Sequence, residues 1–249
     1  MLSRRWIFGH LVAVAVVVLF VNLGFWQLRR LDERRQLNAL VEARMDGPAV
    51  PLRELRSVPG PDGDESLGQL DYRRVVVSGL YDPEQEVLVL GKTYAGRTGY
   101  HVLTPLVTDG EAVLVSRGWV PIEWGDPPVP EAVPPSGPVE VTGVLLPSRS
   151  GSGSSVDGDR VEVMTREDID LVDAQTRYQL LPDYLLLAMQ APAQGDFPVP
   201  ADPPRLGEGR HLSYAVQWFL FASIVVVGYP VLLRKTLRHE RHRVRSQNG

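Results

Sequence analysis

The stretch HLSYAVQWFLFA, residues 211–222, puts a histidine and several polar or aromatic groups at the head of a long apolar run. A helix turns ~100° per residue, so Trp218 and Ala222 fall about 20° from His211, Ala215 about 40° and Tyr214 about 60°. Gln217 lies roughly 120° away and is better placed to bind another protein group. A neutral imidazole is a good axial ligand for haem iron. Alanines on the same stripe would admit a planar macrocycle or a second helix. The other reading of these residues is an interfacial aromatic belt, with His211 at the water boundary. Trp26 and Gln27 precede Arg29, Arg30, Arg34 and Arg35. Gln27 can donate to a ligand carboxylate or to a partner helix. The arginines can fork onto carboxylates or bind anionic lipid headgroups. A third group is Arg117-Gly118-Trp119, with His101, in β-type sequence. It fits a strand bend with Arg against an aromatic face, a partner-binding edge, or plain packing. His10 has no visible partner and is assigned a structural role.

The elements that hold these groups begin with two apolar blocks, Ile7–Trp26 and Tyr214–Leu233, each free of Asp, Glu, Lys and Arg. About 20 residues at ~1.5 Å per residue match a hydrocarbon core ~30 Å thick. The first block is too long for a signal peptide and ends in bulky, basic GFWQLRR. It is therefore expected to stay as an anchor, and it lacks the character of a transit peptide. The expected layout is a cytoplasmic N-terminus (1–6), a first span (7–28), an outer domain (29–210), a second span (211–233) and a basic cytoplasmic tail (234–249). Arg4, Arg5 and the tail cations place both termini inside, although RRLDERR at 29–35 complicates the count.

Residues 1–35 carry a formal charge of +4 and residues 234–249 carry +5, so the middle of this −4 chain carries −13. Such an acidic domain does not suit nucleic acid, which needs a basic face. With no cysteine among 249 residues, disulfides and thiolate metal sites are excluded. No nucleophile elbow, zinc-protease motif or phosphate loop is present, and no enzyme is expected.

Within the outer domain, residues 28–45 have helical spacing, so the first membrane helix is expected to run several turns further, until DGPAVPL stops it. β-Rich segments follow at 72–82, 85–92, 98–108, 111–122 and 138–148, the first two as a hairpin. Asp109-Gly110 marks a hairpin turn. Residues 57–69 are expected as a loop and 148–159 as a flexible tip. A short helix with a Thr cap is expected over 165–176, and a last strand over 183–191. The fold class is a membrane protein in which two transmembrane helices flank a small, mainly antiparallel β (α+β) domain.

Five segments in this order resemble blocks of one family: LGFWQLRRLDERRQL, YRRVVVSGLYD, GRTGYHVLTPL, VLVSRGWVP and HLSYAVQWFLFA. The resemblance, from about residue 20 to 225, is to the surfeit locus protein 1 family of cytochrome c oxidase assembly factors. It implies help with haem a delivery or insertion into oxidase subunit I, with the haem a synthase as a second partner. It implies a bacterial plasma membrane or a mitochondrial inner membrane, and the bacterial one is expected here. It also implies His211 as the haem contact and iron ligand, with Tyr214, Trp218, Gln27 and Trp26 around it. Arg117, Gly118, Trp119 and Gln217 are then candidates for partner binding. Two rivals remain: a scaffold that never ligates haem but stabilises subunit I, and an unrelated membrane-anchored binding module.

Overall fold

The computed structural model describes residues 4–57, 68–148, 154–157, 160–189 and 197–247. In chain order the elements are α1 (Arg4–Asp46), β1 (Val50–Pro51), α2 (Leu52–Ser57), β2 (Arg74–Tyr81), β3 (Val87–Tyr94), β4 (Arg97–Val107), β5 (Ala112–Pro121), β6 (Val139–Pro147), β7 (Ser154–Asp157), β8 (Arg160–Met164), α3 (Ile169–Asp173), β9 (Leu180–Ala188) and α4 (His211–Gln247). They form two compact units, residues 1–40 with 206–249, and residues 41–205.

The first unit is an antiparallel helix pair. Both helices are long and apolar enough to cross a membrane, so this is a membrane protein with two spans flanking a central domain. Its exposed Phe8, Leu11, Leu19, Val216, Leu220 and Val227 are what a lipid-facing surface requires. α1 does run on without a break beyond the apolar block, as its helical spacing predicts, and ends at Asp46 before Gly47-Pro48.

The second unit is a nine-stranded sheet in the order β1-β2-β6-β9-β5-β4-β3-β8-β7, and an added β2–β4 pairing closes five of the strands on themselves. Antiparallel pairs predominate; β1–β2, β3–β8 and β5–β9 are parallel. All ten residues of β5 are buried. Val113 and Val115 belong to one core cluster, while Ala112 and Leu114 belong to another. A strand buried on both faces needs apolar residues at successive positions, and VLV at 113–115 supplies them. α3 adds Ile169 and Val172 to the second cluster.

Several expectations change. β2 and β3 do not form a hairpin: β2 pairs with β1, β6 and β4, and β3 pairs with β4 and β8. Asp82 caps a 3-10 turn at Pro83–Gln85, accepting from the Glu84 N–H, and the turn sends β3 away from β2. The region expected as a flexible tip contains β7, paired with β8. The expected loop 57–69 lies largely outside the described residues. The short helix shrinks to Ile169–Asp173, with Asp168 rather than Thr165 at its N-cap position and no side-chain capping hydrogen bond there.

Candidate functional site

In the helix pair, the end formed by residues 27–38 and 206–211 is organised by one face of α1. Gln27, Leu31, Arg34, Arg35 and Asn38 recur at spacings of three, four and seven, so they share that face. Leu31 and Asn38 are buried. Arg34 Nε donates to the Gly207 carbonyl at 3.2 Å, and Asn38 Nδ2 donates to the same oxygen at 3.4 Å. Arg35 forks onto the Glu208 carboxylate at 2.8 and 3.1 Å. This hydrogen bond lowers the Glu208 pKa below the ordinary carboxylate value, with the Arg35 charge acting in the same sense. Three side chains therefore fix the two residues just before the turn into α4.

That turn needs Gly209. Its φ is +71°, and a Cβ there would lie 3.2–3.3 Å from Cδ2 and Nε2 of the His211 ring. A side chain would be strained by the left-handed backbone and would crowd the imidazole. His211 opens α4, and its Nδ1 lies 2.9 Å from Gln27 Oε1. Among the described residues, no partner of His211 Nε2 is found.

The stripe on α4 is occupied. Ala215 and Ala222 are buried, and Trp218 packs against Phe20 with ring centroids 5.5 Å apart. The close approach that the alanines allow is thus taken by α1. Further along, Tyr229 Oη and His10 Nδ1 meet at 2.8 Å, so His10 has a partner that sequence inspection missed. Finding it requires the helix register: from Gln27 to His10 is 17 residues and from His211 to Tyr229 is 18. The two polar contacts are thus roughly 26 Å apart along the pair.

The other candidates fall as follows. Tyr214 and Trp26 are exposed, at 45% and 44%. The Arg30 guanidinium sits 5.9 Å over the Trp26 ring and pairs with Glu33 at 2.8 Å. Gln27 Oε1 accepts from His211 Nδ1 within the helix pair, while Gln217 is exposed. Of the four arginines considered for ligand carboxylates, Arg30, Arg34 and Arg35 already engage protein groups.

In the β domain, Arg117 is not at an edge. β5 lies between β4 and β9. Val102 pairs with Gly118 and Leu103 with Ser116, so Arg117 is the extra residue of a bulge. Gly118 has φ +139°, and a Cβ there would lie 2.3 Å from the Val199 carbonyl oxygen. The bulge turns Arg117 inward. Its Nη1 donates to Glu86 Oε2 at 3.1 Å, its Nη2 donates to the Ala132 carbonyl, and its Cζ lies 5.6 Å from the Tyr81 ring centroid. The Thr104 hydroxyl donates to Glu86 Oε2 at 2.8 Å and the Val129 N–H donates to Oε1 at 2.9 Å. Burial pushes Glu86 up, opposed by the Val129 N–H and the Arg117 charge. Burial likewise pushes Tyr81 up to about 12, against the pull of Arg117. The partner-binding edge at RGW is therefore corrected to an internal bend, with Arg against an aromatic face. Trp119 is buried too: its Nε1 donates to the Lys92 carbonyl at 3.2 Å, and its ring packs beside Tyr94 and Phe197. His101 is pushed down to about 4, first by burial and then by the Lys92 charge.

The SURF1 family profile matches residues 14–223. An uncharacterised SURF1-like protein of Mycobacterium tuberculosis strain H37Rv is 33% identical over 92% of this chain and 83% of its own length. A SURF1-like protein of Rickettsia felis is 26% identical over 92% of this chain and 98% of its own length. The cytochrome oxidase assembly protein SHY1 of Saccharomyces cerevisiae is 30% identical over 47% of this chain and 29% of its own length. The matched span contains both Gln27 and His211 of the helix contact and the whole β domain, and on that extent the chain belongs to the SURF1 family.

Proposed function

We propose that this chain assists assembly of cytochrome c oxidase by holding haem a at the outer end of its helix pair and passing it to oxidase subunit I. Family membership and the name of the yeast relative support the assembly role. The observation that carries the haem step is His211, whose Nδ1 is engaged by Gln27 while Nε2 is without a protein partner among the described residues. A half-buried imidazole with one open nitrogen suits an axial iron ligand. The rings of Tyr214, three residues after His211, and of Trp26, next to Gln27 in sequence, are exposed flat apolar surface. Arg30 and Arg34 remain near enough in sequence to exchange their present contacts for carboxylates. When bound, the haem would supply an iron able to take a nitrogen ligand such as His211 Nε2 and two carboxylates for the arginines. The chain's part is to bind, orient and release, as a carrier rather than a catalyst. The haem a synthase is the donor in this scheme.

Relatives in Mycobacterium and Rickettsia support a bacterial plasma membrane. The basic flanks Arg4-Arg5 and 234–245 support cytoplasmic termini. Because the chain contains no cysteine, single cysteines at Ser246 and Ser78 can be labelled from each side to test this. Ser78 should react from outside only.

His211→Ala is expected to purify without haem a from cells that make it. Undiminished haem content would overturn the haem step. A second reading has its own observation: the His211–Gln27 bond also ties α1 to α4. On that reading the chain is a scaffold for subunit I, and the wild type never carries haem in any preparation.

A further inference from the structure

The contact between α1 and α4 has a direction. Gln27 Oε1 is a carbonyl oxygen and can only accept. At 2.9 Å from His211 Nδ1, it requires the proton on Nδ1. A neutral imidazole carries one N–H, so Nε2 then holds the lone pair. We infer that Gln27 is a positioning residue that locks His211 in its Nδ1–H tautomer, making Nε2 the one nitrogen that can ligate a metal or accept a proton. The use of that nitrogen for haem rests on the function proposed above; the placement of the proton does not.

Three features support a fixed ring. Gln27 sits one turn before buried Leu31 on the α1 face whose Arg34, Arg35 and Asn38 hold Gly207 and Glu208. Gly209 lies beside the Nε2 edge of the ring, where a Cβ would stand 3.3 Å from Nε2, so glycine keeps that edge uncrowded. The ring also belongs to the first residue of α4, which leaves its backbone little freedom. Outer groups that orient a ligating histidine generally fix its tautomer and raise its basicity, and their loss weakens metal affinity about 10–100-fold.

The test uses the full chain, haem-free, in detergent micelles with 15N-labelled histidine. Long-range 15N–1H NMR at pH 8.5 reports which ring nitrogen carries the proton, and His211→Ala assigns the signal. The wild type should show the proton on Nδ1. Gln27→Glu keeps an acceptor oxygen at similar reach and should keep it there. Gln27→Leu removes the acceptor and should shift population to the Nε2–H form. Titrated with haem a, Gln27→Leu should bind about tenfold more weakly and Gln27→Glu close to wild type. A wild-type proton on Nε2, or a Gln27→Leu spectrum identical to wild type, overturns the inference. A wild-type tautomer as stated, with His211→Ala still binding haem fully, overturns the haem reading and leaves Gln27 as the tautomer lock.

Discussion

In the β domain, Glu86 receives donors at both oxygens, and Arg117 is held by Glu86, Thr104 and Ala132 under the Tyr81 ring. In the helix pair, His211 meets Gln27 through one ring nitrogen, at a half-buried position. Both are long-range polar contacts between separate elements, yet one is closed, while among the described residues the other leaves His211 Nε2 without a protein partner. A closed buried network rigidifies and specifies a fold, because every polar atom in it would be costly if left alone. A half-engaged imidazole adds little to stability and remains chemically available. On the function proposed above, the buried charge pair belongs to the framework of the β domain and the half-engaged imidazole to the site.

Breaking the closed network should have the largest effect. The Arg117 and Glu86 side chains are 6% and 1% exposed, so Arg117→Leu leaves an uncompensated buried carboxylate and should lower domain stability by about 3–5 kcal/mol. Urea denaturation followed by tryptophan fluorescence measures it. The double variant Glu86→Leu/Arg117→Leu should recover most of the loss, since an apolar replacement of a whole pair is often neutral. His211→Ala should leave the same midpoint in place and, on the function proposed above, abolish haem co-purification. If Arg117→Leu were silent, the contrast between the two regions would collapse.

A smaller effect belongs to His101. Its pKa is lowered to about 4 in the fold by burial and the Lys92 charge, against about 6.5 when unfolded. The unfolded chain therefore binds the extra proton first, so the contribution is complete above pH 6.5 and is lost as pH falls toward 4. It amounts to about 2–3 kcal/mol across that window. His101→Gln should flatten the fall in stability between pH 6.5 and 5, and an unchanged slope would refute the burial argument.

Tyr229→Phe removes the second polar contact of the helix pair, to His10, and sharpens the comparison within that pair. Such bonds between membrane helices average about 0.6 kcal/mol, a loss readable by steric-trap or SDS unfolding. Glu208→Gln should have the smallest effect. Its pair with Arg35 is about half exposed on each side, and such pairs contribute little. The thermal midpoint should not move, while hydrogen exchange at 206–210 should rise.

Much of the β domain was legible because its signals are local. Alternation and β-branched residues located β2 to β6 and β9, and Asp109-Gly110 located the β4–β5 hairpin. The β2–β3 pairing failed because adjacency in sequence is only a prior for adjacency in a sheet. The Asp82 cap and the 3-10 turn overrule it here. β7 was hidden in polar, Ser- and Gly-rich sequence, and β8, RVEVM, alternates over too few residues to stand out beside it. In α4, helical spacing grouped His211, Ala215, Trp218 and Ala222 on one stripe. It left open what faces them, and the answer is α1.

The sequence by itself determined the two spans, the charge asymmetry, the β class and the family, since each is written in residue types and short spacings. Only the tertiary structure decided that Gln27 meets His211, that Tyr229 meets His10, and that Arg117 is buried against Glu86. These partners lie 184, 219 and 31 residues apart along the chain. No local periodicity carries that information, because helix register and sheet order are set by packing across the whole unit.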